Sequence, residues 1–596
     1  MPNPLFSSLL EQLQKAYARD GPSMSREDSI HPAAQEQLRA ISVVTIHRLP
    51  NEVLIAIFKE VLVSSQRRDA FRLEDREHAL LAYQRRNTYR LANRQDARVD
   101  TSTLIMLTHV CQKWRHVALA YPLFWTRVDG QHRGQLDTFI ERSQNAPLSL
   151  YLHTGVSNLH DIVLSTASRL KRLDLTALDV DGEEESMWSI LSTIQAPVLE
   201  CFTLSTCNSF PDPTVPVTRT FLFNQTSLSL KALAIYQLPP WALANDFPLL
   251  THLYIALTDD APYPISGILD VLRAAPRLQY IHLSAVPGCE DVLDLGNPVP
   301  LLHLRSLVIN SSYMDNAFQM LSALSLPRHA YVRLDDLYFN LFHGIPGLPR
   351  LPVTEEAHHL DLIVQGSFLR MICTGPSSGL WVQMGDDFLR DHNGRDLDEW
   401  LSALPSALPL EQVTSLRLSA GDHPRIFQAL LPHLPRLNDL KVFFDIQFER
   451  MREPMGLGAY TAMGPLLYSC LSQASPLLVP DLKSVFVSVG SGRLHVAPDV
   501  SADELARMLA TRAFKGSPIQ TFTIRPFSAC QWADDAVFSL VDSQLSGLRE
   551  FPEFVVLPPS RVLGTYTHMA CWEMKEAEQY WELASTDKPL YLNFIA

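Results

Sequence analysis

A chain of 596 residues with 50 Lys+Arg against 64 Asp+Glu, a formal net charge of −14, is too long for one hydrophobic core and too acidic for wholesale binding to phosphate backbones. Apolar residues make up 46%, enough for a substantial core, yet no run of about 18 of them is available to cross a bilayer. Eight cysteines form no CxxC pair and read as small core residues in a reducing compartment, which places the chain in the cytoplasm or nucleus.

The opening stretch, MPNPLFSSLLEQLQKAYARDG, lacks the basic-then-apolar order of a secretory signal. Residues 1–44 read as a short helix and a polar linker. HRLPNEVLIAIFKEVL follows, with Leu54, Ile57, Phe58, Val61 and Leu62 on one helical face and Pro50 at or just before the helix start. Between Arg67 and Arg98 nine arginines stand against five acids. The simplest reading is a solvated insertion, with an acidic or nucleic-acid contact as the alternative. LTHVCQKWRHVALAYPLFWTRV then repeats the helical period through Leu107, Val110, Cys111, Trp114, Ala118 and Tyr121. Pro122 stops that helix, and Phe124 and Trp125 behind it predict a tail folded back on the helices. Such a unit is too small to bury all its apolar surface and must dock on something else.

These residues carry a resemblance. Leu49-Pro50-x-Glu52-Val53-Leu54-x-x-Ile57-Phe58 is similar to the first half of an F-box. Val110-Cys111-x-x-Trp114-Arg115-x-x-Ala118 with Pro122-Leu123-Phe124-Trp125-Thr126 is similar to its second half. An ordinary F-box is nearly contiguous, whereas here Ser64 to Thr103 intervene. Lengthening a flexible loop costs only about 0.6 kcal/mol per doubling, and one buried Leu or Phe is worth roughly 1.5–3 kcal/mol, so the interruption is tolerable at a surface corner.

Beyond Val128 an apolar-x-x-apolar-x-apolar template recurs. It appears as Leu170/Leu173/Leu175, Leu199/Phe202/Leu204, Leu230/Leu233/Ile235, Leu250/Leu253/Ile255, Leu278/Ile281/Leu283 and Leu304/Leu307/Ile309. It returns as Val413/Leu416/Leu418, Leu437/Leu440/Val442, Leu482/Val485/Val487 and Ile519/Phe522/Ile524. The early spacing, about 20 to 31 residues, is the step of a leucine-rich repeat. Each template end predicts a short strand with one buried face, and Pro197, Pro248, Pro276, Pro435 and Pro480 precede five of them, ending the previous segment and pre-extending the chain. ISGILDVLRAA and SADELARMLATR read as helices of the opposite side. TEEAHHLDLIV reads as a worn copy in a region that loses regularity after about residue 320. The Asn or Cys expected after the strand is convincing only as Cys207. HMACWEMKEAEQYWELA, within 551–596, reads as a capping helix over the last repeat. An α/β domain whose short strands only look repetitive is the alternative.

Catalytic signatures are missing from the pattern. No phosphate-binding GxxxxGK[ST] loop occurs, and GLGAYTAMG has the wrong spacing for a dinucleotide turn. The glycine of DHNGRDLDEW falls at the wrong position for a calcium loop, and His109, Cys111 and His116 read as a core cysteine among surface histidines. Asp pairs at 259–260, 335–336, 386–387 and 534–535 define no cleft.

The expected fold is therefore α/β: a small all-helical F-box at 45–128, interrupted at about 64–103, then an irregular leucine-rich-repeat solenoid, a horseshoe, over 129–550. What the resemblance implies is a substrate-recognition subunit of an SCF-type cullin–RING ubiquitin ligase, serving ubiquitin-dependent protein degradation and itself not an enzyme. Its partners are then a Skp-type adaptor with its cullin–RING ligase and an unknown protein substrate, with no membrane, no cofactor and no metal, while the net charge of −14 argues against nucleic acid. Adaptor docking falls to Leu49, Pro50, Leu54, Ile57, Phe58, Val110, Cys111, Trp114, Leu123 and Trp125, some of which, Trp114 above all, hold the module together instead. The alternative is a scaffold that binds partners without ubiquitination.

Overall fold

The structure, a computed structural model, describes residues 49–66, 101–130, 133–153, 155–176, 191–205, 221–225, 229–236, 243–257, 265–286, 297–338, 347–365, 368–384, 395–419, 425–445, 463–491, 502–528, 545–551, 554–557, 569–572 and 574–581. The first 48 residues, most of the Arg-rich insertion, Cys207 and the DHNG turn lie outside them. The architecture is mixed α/β with parallel strands dominant, and the chain divides into two compact units.

Of the described residues, the first unit takes those from 49 to 176 with the short piece 196–199 and Trp581. Its helices are α1 (Asn51–Gln66), α2 (Ser102–Val110), α3 (Gln112–Ala120), α4 (Arg133–Arg142) and α5 (Leu159–Thr166). Its strands β1 (Arg127–Asp129), β2 (Leu148–His153) and β3 (Leu170–Thr176) run parallel, with Leu150 level with Leu173 and Leu152 with Leu175.

The second unit holds a longer run of strands. β4 (Cys201–Ser205), β5 (Ala232–Tyr236), β6 (His252–Ala256), β7 (Tyr280–Ser284), β9 (Ser306–Asn310) and β11 (Tyr331–Leu337) pair in parallel, each with the next. The template leucines fall in register: Phe202, Leu233, Leu253, Ile281, Leu307 and Val332 form one row, and Leu204, Ile235, Ile255, Leu283, Ile309 and Leu334 the next. All are buried, because every second residue of a strand faces the same side. Two two-residue strands, β8 (Val299–Pro300) and β10 (Leu324–Ser325), pair only with each other.

After β11 the order turns back on itself. β12 (His359–Gln365), β13 (Phe368–Thr374) and β14 (Gly379–Met384) form an antiparallel meander in which β14, not β12, lies beside β11. β12 then receives β15 (Ser415–Ser419), and β16 (Asp439–Asp445), β17 (Ser484–Ser491), β18 (Thr521–Ser528) and β19 (Phe554–Val556) extend the parallel series. The TEEAHHLDLIV copy is in step, Leu360 with Leu416 and Leu362 with Leu418. α6 (Ile265–Arg273), α7 (Met314–Ser322), α8 (Arg395–Ala407), α9 (Arg425–Leu430), α10 (Met463–Tyr468) and α11 (Ala502–Phe514) connect strands of this unit, and each helix whose side chains are described buries an apolar face.

A fixed hydrogen-bond device opens the rungs. The first N–H of the strand and the one before it both donate to one carbonyl of the preceding rung: Lys231 and Ala232 to Glu200, Thr251 and His252 to Lys231, Gln279 and Tyr280 to Thr251, Asn438 and Asp439 to Thr414. The recurrent prolines do something different from what their position predicts. Leu199, Leu250, Leu278, Leu437 and Leu482 each donate an N–H to the carbonyl three residues back, so Pro197, Pro248, Pro276, Pro435 and Pro480 occupy the second position of a tight turn. That position needs a φ near −65°, which the proline ring fixes. Rung ends repeat too: Ala285, Ser311 and Asp336, each one residue past the matched set Ser284, Asn310 and Asp335, adopt positive φ of 56°, 49° and 49°.

The C-terminal stretch departs from expectation. In place of a capping helix, its described residues form two 3-10 turns, Met569–Trp572 and Lys575–Glu578, which contact β14 and β6 in the middle of the series.

Candidate functional site

Two regions gather the residues of interest, one in each unit. In the first, Val53 and Leu54 donate their N–H groups to the Pro50 carbonyl at 3.2 and 3.1 Å, so α1 begins directly behind the proline. Phe58 meets Trp114 edge to face at 4.9 Å and Phe124 at 5.9 Å. The two sequence halves are thus one packed module. Lys113 adds a hydrogen bond from Nζ to the Leu49 carbonyl at 2.6 Å. The aromatic tail folds back as expected: Trp125 Nε1 donates to the Ala118 carbonyl at 2.9 Å, and its ring packs on Phe139 and under Arg142.

The second half is two helices instead of one. Cys111 is extended (φ −161°, ψ 169°), and its Sγ accepts the Trp114 N–H at 3.4 Å as the N-cap of α3. Arg115 Nε donates to the Thr108 carbonyl at 2.9 Å, satisfying one of the groups left over where α2 ends. Val110 and Cys111 therefore leave the face that a continuous helix would give them.

This separates the expected docking residues. Leu54, Ile57, Phe58, Trp114 and Trp125 are buried and hold the module together, while Leu49 and Cys111 are half-buried. Pro50 is exposed, as are Val110 at 45% and Leu123 at 50%. Val53, Ile105, Met106 and Leu119 share that exposure and were outside the motif's reach, except that Val53 sits in its first half. Their signal is periodic: Ile105 and Met106 fall off the buried face that Leu104 and Leu107 define.

In the second unit, the strand residues between the core leucines build another surface. His252 stacks on Tyr280 at 4.6 Å and Tyr254 on His282 at 4.6 Å, each pair level across β6 and β7. Further along, Arg333 Nε lies 2.7 Å from Asp335 Oδ2, both nearly buried, and Arg370 stands 5.5 Å from the Trp381 ring. Burial pushes the Asp335 carboxyl up, against the opposing pull of Arg333, His282 and Arg370. Over this surface lies the C-terminal segment. Trp572 packs on Ile372, Trp381 and Tyr331. His252 Nε2 is 2.8 Å from the Glu576 carbonyl, which can only accept, so Nε2 carries the proton. Tyr580 meets the same imidazole edge to face at 4.9 Å.

Burial pushes the Tyr331 and Tyr580 hydroxyls up to about 12, and the Cys373 thiol to about 12, while the Cys571 thiol is also raised. All stay protonated at neutral pH, so none is a ready nucleophile. Among the described residues no three His, Cys, Asp or Glu side chains are grouped to hold a metal ion, and no helix is long and apolar enough to cross a membrane. The sequence signal for this surface lay in the template's variable positions, where β6 and β7 carry His and Tyr at the level of Cys201, Thr203, Ala232 and Ala234 in β4 and β5.

No protein-family model matches the chain, and no curated protein matches its sequence.

Proposed function

We propose that the chain is a substrate-recognition subunit of an SCF-type cullin–RING ubiquitin ligase, with the helical module as an interrupted F-box and the strand series as a leucine-rich-repeat receptor. One observation carries the reading: Phe58 closes on Trp114 and Phe124, and the module so formed leaves Val53, Ile105, Met106, Val110, Leu119 and Leu123 exposed. A small helical unit with that many large apolar side chains in solvent has surface fit for a partner. The Skp adaptor is the partner that the Leu49–Phe58 and Val110–Thr126 motifs imply. The sheet surface then supplies the grip on a protein substrate, and rate comes from holding that substrate near the ubiquitin carrier, with the bond chemistry done by other subunits.

The test is capture of purified Skp adaptor by the full chain, beside a Met106→Asp, Leu123→Asp double variant. Both positions are half-exposed, so the variant keeps its fold, checked by circular dichroism. Capture by the parent and loss in the variant supports the reading. No capture by a folded parent refutes it.

A further inference from the structure

The C-terminal segment is held to the sheet surface in an unusual way for a piece of a core. It makes no strand pairing within residues 569–572 and 574–580. Among the described residues its attachment includes two aromatic anchors, Trp572 and Tyr580, with Cys571 beside Tyr331 and a few further polar contacts. Trp572 enters the cluster of Tyr331, Ile372 and Trp381, lying so close to β14 that a Cβ on Gly379 would stand 3.1 Å from the indole. Four residues on, the Glu576 carbonyl accepts a hydrogen bond from His252 Nε2, and the Glu576 carboxylate stands 3.7 Å from the half-exposed Arg305 guanidinium. Four residues further, Tyr580 meets His252. Between the anchors, Lys575–Glu578 buries no side chain. Aromatic anchors packed on other rings, a backbone hydrogen bond indifferent to sequence, and one rim charge are how a surface receives a peptide.

We propose that residues 569–580 are a displaceable internal ligand of this surface, and that the outside partner competing for it is a peptide segment carrying tryptophan, an acidic residue four positions later and a second aromatic four positions after that. This rests on the reading of the strand series as the substrate receptor and specifies what it receives. The tethered segment competes at a local concentration of roughly millimolar order, so only a partner that is tight, or itself locally concentrated, displaces it.

The probe is a fluorescein-labelled synthetic peptide of residues 569–580, titrated by anisotropy against the full chain and against its Trp572→Ala, Tyr580→Ala variant. The variant is expected to bind the peptide at least about tenfold more tightly than the parent, since its own segment no longer competes. A folded variant that binds no more tightly overturns the proposal. Should the double variant lose its fold by circular dichroism, Glu576→Lys decides, because that side chain is exposed and makes only a weak ion pair. Peptide binding about two- to fivefold tighter supports the proposal, and unchanged binding overturns it. A scrambled peptide that binds the variant equally well also overturns it, by removing the required spacing. Adaptor capture is measured on the same preparations. Peptide binding without adaptor capture sinks the ligase reading and leaves this surface standing, whereas capture without peptide binding sinks this inference alone.

Discussion

Phe58 and Trp114 meet edge to face with ring centroids 4.9 Å apart, although the whole Arg-rich insertion separates them in sequence. The contact makes α1 and α3 one folding unit. Truncating either ring to alanine is expected to cost about 3–5 kcal/mol, with a coupling of about 0.5–1.5 kcal/mol between them. A double-mutant cycle in denaturant measures it, and strict additivity would mean that the two halves are stabilised independently.

Adjacent residues in the aromatic tail should behave oppositely. Phe124 is buried and packs on Phe58, so Phe124→Ala should cost about 3–5 kcal/mol. Leu123 is 50% exposed, and Leu123→Asp should shift stability by no more than about 0.5 kcal/mol. Thermal melts of the two variants check the contrast.

Cys111 offers a test whose sign depends on the break between α2 and α3. In a continuous helix, Cys111→Ala would stabilise, because alanine has the higher helix propensity. As an N-cap whose Sγ accepts the Trp114 N–H, it should instead lose about 0.5–1 kcal/mol on truncation, while Cys111→Ser, with a better acceptor, keeps or raises stability. Urea midpoints of the two variants decide between the geometries.

Asp361 stands level with Arg417 on one side and Ile372 on the other. Burial pushes its carboxyl up from 3.8 to about 6, with Arg417, Arg370 and Lys441 pulling the other way. An acid that holds its proton more tightly when folded than when unfolded costs the fold stability as pH rises between those two values, and the cost is complete above the upper one. Asp361→Asn should therefore raise the melting temperature at pH 7.5 and change it little at pH 3.5. A lower melting temperature at pH 7.5 would show that the three cations outweigh burial.

Gly379 is required by closeness. A Cβ there would lie 3.0 Å from the Cys373 carbonyl oxygen and 3.1 Å from the Trp572 indole. Gly379→Ala is expected to destabilise by about 1–3 kcal/mol, as overpacking does, and to raise hydrogen exchange across residues 569–580. Unchanged exchange there would mean that the indole moves aside freely.

The core of the strand series was legible because its leucines recur with a period of two at each rung, and Leu253, Ile281 and Leu307 fall level as that pattern requires. The helical module was legible from its buried face, since Leu54, Phe58 and Trp114 carry both the motif and the packing. What the pattern hid follows from tertiary contact. β13 and β14 bury both faces, so Arg370 and Trp381 sit where an alternating strand would show solvent, and no template marks them. The C-terminal stretch carries helix-forming residues, yet the anchoring of Trp572 and Tyr580 on the sheet overrides that propensity. Whether an exposed leucine such as Leu123 meets a partner is not a property of its own helix at all.

The reversed seat of β14 beside β11 also constrains how the polypeptide can be built during translation. Along the run β4, β5, β6, β7, β9 and β11, each newly emerged strand can settle on the edge just completed, so that run can grow in step with the ribosome. β12 has no place there: its neighbours are β13 and the still unsynthesised β15. The open edge of β11 must wait until Gly379–Met384 has left the tunnel, and the meander then closes it as a block. During that interval the nascent chain displays an unpaired strand edge, the kind of surface on which chains aggregate and chaperones act. Any ribosomal pause within residues 339–378 prolongs it.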